Sequence, residues 1–278
     1  MKVAIYNDTS SSAHFGCQLV MAAYRELLEK RDIEIIASMP RYQKDTVYPV
    51  SWRSDESKRI LDKADLVIVN GEGNIHHHKN TRMLKIAEVY PCILTNCVFQ
   101  DISSFKSHLL QNFKHITVRE SMSADYMMRE HGYKPEVVPD LIFSHTIPRL
   151  PECKRDGTFF SDRAIGFITC QDDKGCYYTL PPDEPRFVEK MSAYKRACCG
   201  RFHAICIAAM LDMPFSAWAS NTWKNEAIMA DMGVPELYTD RQRASLDLIP
   251  DVCPESVASY VSNAKARINA LFDRIYEL

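Results

Sequence analysis

The residues best suited to chemistry sit where apolar runs give way to helical patterns. In the second half of the chain, Cys198-Cys199-Gly200-Arg201-Phe202-His203-Ala204 opens a helix predicted over Phe202–Leu211. Arg201 and His203 then fall at its first turn, beside N–H groups that have no intrahelical acceptor and at the positive end of the dipole. Cationic side chains are unfavourable there unless an anion lies between them, so the pair reads as a phosphate or carboxylate site. Ser220-Asn221-Thr222-Trp223-Lys224 follows a strand pattern and brings a lysine and hydroxyls to the next helix start. A plain helix cap is the competing reading.

The first half carries a second set of such turns. Asn7 to Cys17 includes Ser10-Ser11-Ser12, His14 and Gly16, small polar residues that let backbone N–H groups approach an anion. G-x-G-x-x-G is absent, so this is no dinucleotide fingerprint. Asn70-Gly71-Glu72-Gly73-Asn74 ends another strand pattern, with Glu72 as a candidate acid or base. His76, His77 and His78 follow; a substrate contact, as at His77, and a plain loop or cap are both open readings. Three adjacent histidines lack the spacing of a metal set, and no metal is expected. Arg119, at the end of Ile116–Arg119, offers a fork for a carboxylate or phosphate, with a structural salt bridge as the alternative. Asp140 puts a carboxylate after the next strand, unless it only caps a turn.

The elements that must position these residues alternate. Strands are predicted at Val3–Tyr6, Ile33–Ala37, Leu66–Asn70, Cys92–Phe99, Ile116–Arg119 and Glu136–Val138. Between them lie helical patterns at Gln18–Lys30, from a Ser54 cap to Leu61, Asn80–Val89, Ser103–Phe113, and from a Ser121 cap to Gly132. Apolar strands each followed by an amphipathic helix imply a doubly wound parallel sheet, with ligands at the strands' C-terminal ends. A Pro-containing, mixed-charge stretch at 145–163 reads as a linker, giving domains 1–145 and 146–278. The second, smaller domain is predicted to hold a strand at Ala164–Thr169, a loop at 171–185, helices at Phe187–Ala197, Phe202–Leu211 and Trp223–Met232, and a strand at Phe215–Ala219. It would close with a long helix over Pro254–Leu278.

Composition narrows the function. The 278 residues are 46% apolar, enough for a substantial core, and 34 Lys+Arg against 36 Asp+Glu leave no basic field for nucleic acid. No leader or membrane-length apolar run is visible, which points to the cytoplasm. Ten cysteines without a C-x-x-C pair fit buried free thiols rather than zinc or disulfides.

Taken in order, HFGCQLVMAAYREL, ADLVIVNGEGNIHH, TVRESMSADYM, VVPDLIF, GRFHAICIAAMLDMPF and the lysine of NTWKNEAIMADMG resemble the polysaccharide pyruvyl transferase family. The resemblance implies two Rossmann-like domains of the GT-B type, here with a reduced second domain. It differs in having Cys17 where the first turn usually carries an acid. It implies a transferase that uses phosphoenolpyruvate as donor, needs no cofactor, and acts on a glycan or lipid-linked carbohydrate acceptor. Arg119, Arg201 and His203 would form the donor site, with Lys224 as a third cation. His203 would be the acid and Glu72 or Asp140 the base; His14, Gly16, Gly71, Gly73, Asn74 and His77 would contact substrate. A nucleotide-sugar glycosyltransferase and a catalytically silent member of the family are the alternative readings.

Overall fold

A computed structural model describes residues 1–12, 14–40, 51–161, 186–240 and 246–278, with the side chains of Asn74 and Glu152 excepted. The expected strand at Ala164–Thr169 and loop at 171–185 lie outside these residues. The order is β1 (Lys2–Asp8), α1 (Phe15–Glu29), β2 (Glu34–Pro40), α2 (Asp55–Leu61), β3 (Leu66–His76), β4 (Cys92–Gln100), α3 (Ser107–Leu110), β5 (His115–Val118), α4 (Ser121–His131) and β6 (Glu136–Val137). Then come β7 (Thr158–Ser161), α5 (Phe187–Ser192), β8 (Arg196–Cys199), α6 (Phe202–Met210), β9 (Phe215–Trp218), α7 (Lys224–Asp231), β10 (Tyr238–Thr239) and α8 (Glu255–Asp273).

The chain divides into two units. One comprises Met1–Ser12, Cys17–Leu141 and Arg267–Leu278; the other comprises Ala13–Gly16 and Ile142–Ala266. The last part of α8 and the C-terminal tail therefore count with the first unit, whereas the sequence had grouped them with the second. Within the first unit, Arg31 holds that tail through Asp273 at 2.6 Å and Asn269 at 3.1 Å.

Among the described residues the first unit holds a parallel sheet in the order β2-β1-β3-β4-β5-β6. The order reverses between β1 and β3, so the crevice beyond their C-terminal ends is the topological switch point where ligands collect. β4 is buried along almost its whole length, which is why it reads as continuous apolar sequence. The described strands of the second unit form another parallel sheet, β10-β9-β8-β7. The fold is thus mixed α/β with parallel sheets and flanking helices.

Local chemistry sets the boundaries. Ser54 caps α2, accepting from the Ser57 N–H at 3.2 Å, and Gly132 ends α4 in a left-handed conformation at φ 63. The cap of α4 is Glu120 rather than Ser121: its carboxylate accepts the Ser123 N–H at 2.8 Å. Thr81–Glu88 winds as a 3-10 helix rather than an α-helix, between left-handed Asn80 and Tyr90-Pro91. The expected helix at 103–113 is split, a 3-10 turn at Ser104–Lys106 preceding α3. The Ser107 hydroxyl donates back to the Ser104 carbonyl at 2.7 Å and favours that turn. Two further expectations fail for strands of four residues. β7 lies inside the stretch read as a linker, its two phenylalanines hidden among prolines and charges. β8 had been absorbed into the helix after Phe187, which ends at Ser192.

No disulfide links the described cysteines; Cys92, Cys97, Cys198, Cys199 and Cys206 are buried and Cys153 is exposed. No described helix is long and apolar enough to cross a membrane.

Candidate functional site

Each unit presents its own cluster, and the second unit's is the more distinctive. Its strands β7, β8 and β9 end side by side, and α6 and α7 start just beyond them. Arg201 is the residue before α6 and keeps extended backbone at φ −106, ψ 137. His203 is buried in the first turn of α6, and Lys224, 9% exposed, is the first residue of α7. The Lys224 ammonium donates to Asn221 Oδ1 at 2.5 Å.

His14 joins this group. Its ring lies 5.8 Å from that of His203 and stacks on Phe15 at 5.1 Å; Phe15 in turn stacks on Phe187 at 3.7 Å. Nδ1 accepts the Gly16 N–H at 3.1 Å, which places the proton of the neutral ring on Nε2. Desolvation against these rings, followed by the charges of His203, Arg201 and Lys224, pushes the His14 pKa down to about 3. The cations therefore generate a positive potential that suppresses one of their own members. An anion set among them would relieve it, and the N–H groups at the two helix starts would help to hold that anion.

This gives a signed pH dependence. The folded His14 titrates near 3 and the unfolded one near the ordinary 6.5. Between those values the unfolded chain takes up the extra proton, so stability falls as pH drops from about 6.5 toward 3. Denaturant titrations should show a shallower fall for His14→Gln than for the wild type; equal slopes would place His14 outside the positive field.

Gly16 has a packing role. A Cβ there would overlap the His203 imidazole and come within 2.7 Å of the His203 Cβ. Alanine is better than glycine inside a helix by about 1 kcal/mol, yet overpacking against a buried ring costs about 1–3 kcal/mol. Gly16→Ala should therefore be net destabilising in a melting experiment. A raised Tm would show that the ring has room to move.

The first unit's cluster lies at its switch point. Asn7, near the end of β1, and Glu72 and Asn96, within β3 and β4, adopt left-handed backbone at φ 68, 44 and 55, a concentration of strain typical of functional positions. Asn7 Nδ2 donates to the Asn70 carbonyl at 2.5 Å, and the Tyr24 hydroxyl bonds Thr95 Oγ1 at 2.6 Å. Burial, with the charges of Asp140 and Glu72, holds the Tyr24 hydroxyl well above the usual phenol range. Glu72 itself is 4% exposed.

Arg119 and Asp140, singled out separately as donor ligand and base, are partners. Arg119 Nη1 donates to Asp140 Oδ2 at 2.7 Å, and the side chains are 2% and 0% exposed. The Asp140 carboxylate is therefore engaged by a buried ion pair. Gly71 is required by β4: a Cβ there would lie 2.6 Å from the Cys97 Cβ. His77 is exposed, its Nδ1 2.7 Å from that of His76, while His78 lies 3.8 Å from Asp101. No group of three His, Cys, Asp or Glu among the described residues is placed to hold a metal ion. Gly73 follows Glu72 in β3 and is partly buried.

Two supporting residues escaped the sequence reading. Ser161 Oγ accepts the N–H groups of Gly200 at 2.8 Å and Arg201 at 3.1 Å. Asn225 Nδ2 donates to the carbonyls of Gly200 at 3.0 Å and Trp218 at 2.9 Å. Ser161 stands in no motif, and Asn225 lies next to Lys224 in a segment read for its lysine. Only the pairing of Ser161 with Cys199 at the end of the β7–β8 ladder brings the serine to the turn.

Parallel-sheet units with flanking helices, one of them with cationic side chains gathered at two helix starts, define a mixed α/β protein. Residues 14–217 match the polysaccharide pyruvyl transferase family. The chain belongs to that family, which places it among transferases that modify polysaccharides. A protein of uncharacterized function from Klebsiella pneumoniae shares the fold at 14% identity and a TM-score of 0.50, over 82% of this chain and 86% of its own. Phytolacca americana UGT2, solved with UDP-2-fluoro-glucose and pterostilbene, aligns at 9% identity and a TM-score of 0.44, covering 98% and 94%. Anabaena HepE, solved with UDP and glucose, aligns at 10% identity and 0.43, covering 100% and 98%. No curated protein matches the sequence.

Proposed function

We propose that this protein transfers the pyruvyl group of phosphoenolpyruvate to two hydroxyls of a sugar, forming a cyclic ketal and releasing inorganic phosphate. The observation that carries this reading is the grouping of His14, Arg201, His203 and Lys224 around two helix starts, in a chain of the pyruvyl transferase family. Phosphoenolpyruvate carries a carboxylate and a phosphate, and a cationic set of this kind matches both.

The chemistry has two requirements. The methylene carbon must gain a proton as the first hydroxyl oxygen bonds to C2, and phosphate must leave as the second oxygen arrives. One of the two hydroxyl protons balances the new methyl group; the other leaves with phosphate. His203 is the proposed proton donor. Arg201 and Lys224 hold the donor's anions and stabilise the departing phosphate. Glu72 is the proposed base, in preference to Asp140, which Arg119 engages. His14, neutral until an anion arrives, offers its Nε2 proton as a hydrogen-bond donor.

A thermal-shift screen tests donor choice, because a ligand raises the midpoint only by preferring the native state. Phosphoenolpyruvate should raise it in a concentration-dependent way and nucleotide sugars should not. The opposite ranking would favour glycosyl transfer.

A further inference from the structure

The peptide unit joining Gly200 to Arg201 is held at both of its polar ends. Its carbonyl, on Gly200, accepts from Asn225 Nδ2 at 3.0 Å; its N–H, on Arg201, donates to Ser161 Oγ at 3.1 Å. The same serine oxygen takes the preceding N–H, of Gly200, at 2.8 Å. Ser161 and Asn225 are both 1% exposed, so these bonds form away from competing water. Each clamp is itself fixed. Ser161 is the last rung of the β7–β8 ladder, and Asn225 lies in α7 and also bonds the Trp218 carbonyl at the end of β9.

Helix α6 has no side-chain cap of its own from Arg201. A serine from a neighbouring strand instead accepts the N–H groups of Gly200 and Arg201, just before the first turn. The outcome differs from an ordinary cap: the residue whose backbone is immobilised is the arginine of the cationic cluster. A peptide unit gripped at one end still pivots, whereas one gripped at both ends does not. The arginine then leaves the backbone from a fixed Cα, in a fixed direction.

We infer that Ser161 and Asn225 are positioning residues that preorganise Arg201 for anion binding by locking the Gly200–Arg201 peptide. The inference rests on the anion-binding part of the transferase reading. It adds that a clamp from β7 and α7, and not the arginine alone, sets donor affinity. Preorganisation of this kind acts through the group it positions, so its loss should show only while Arg201 is present.

The test is a double-mutant cycle on the full chain, with Kd for phosphoenolpyruvate measured by calorimetry. Ser161→Ala should weaken binding about tenfold in the wild-type background, and Asn225→Ala by a similar factor. Ser161→Thr, which keeps the hydroxyl, should bind as the wild type does. In an Arg201→Ala background, Ser161→Ala should change Kd by less than twofold. Equal losses in both backgrounds, or no loss from Ser161→Ala, would overturn the clamp. If Ser161→Ala does not fold, Asn225→Ala against Arg201→Ala completes the same cycle from the other end of the peptide.

Inorganic phosphate, used as a second probe, separates the two claims. Wild-type binding of phosphate but not phosphoenolpyruvate would refute the donor assignment and leave the clamp to be judged by the phosphate cycle. Binding of neither would overturn both.

Discussion

Arg119→Met is expected to be the most destabilising single substitution at these sites. The change removes the guanidinium from a pair in which Asp140 is wholly buried and 2.7 Å away. The carboxylate is left in low dielectric without that compensating charge, and breaking a buried pair in this way costs about 3–5 kcal/mol. At roughly 2–4 °C per kcal/mol for a domain of this size, the midpoint should fall by on the order of 10 °C. Asp140→Asn in the same background removes the stranded charge and should recover part of the loss. Calorimetric melting of the two single variants and the double variant checks this. An Arg119→Met protein that melts with the wild type but no longer binds phosphoenolpyruvate would instead make Arg119 a donor ligand, the role the family resemblance implied.

The largest effect on turnover is expected at Arg201. A charge-assisted contact is worth about 1.5–3 kcal/mol, so Arg201→Ala should lower kcat/KM by roughly ten- to a hundredfold. Arg201→Lys should lie between alanine and wild type, since one ammonium restores charge but not the bidentate fork. If the fork stabilises the leaving phosphate, kcat falls along with the rise in KM. His203→Asn is the companion: it keeps a hydrogen-bond donor but delivers no proton, so kcat should fall with donor affinity largely kept. An Arg201→Ala variant with wild-type folding, turnover and affinity would leave the cluster without a catalytic part.

How far the sequence reached depended on the length of the signal. The long apolar strands β1, β3 and β4 and the helices α1, α6 and α7 announce themselves by periodicity, and so does the parallel α/β class. Short elements did not: β7 and β8, four residues each, were taken for linker and helix because so few positions establish no period. Arg201, His203 and Lys224 were readable because each stands at a helix start where a cation is out of place. The pairing of Arg119 with Asp140 was not, because it joins strand ends 21 residues apart. Gly16 and Gly71 stand out in the sequence as positions of close approach. A missing side chain signals close approach without saying to what, and here the neighbours are His203 and Cys97.

Ketal formation leaves a direct signature. Phosphoenolpyruvate should be incubated with the protein and a panel of sugars and oligosaccharides in deuterated water, and followed by proton and phosphorus NMR. Pyruvyl transfer predicts loss of the vinylic protons, release of inorganic phosphate, and a new methyl signal carrying one deuteron from the proton donor. Arg201→Ala should slow all three together. Unchanged vinylic signals, with a nucleotide sugar consumed in their place, would contradict the pyruvyl transferase assignment.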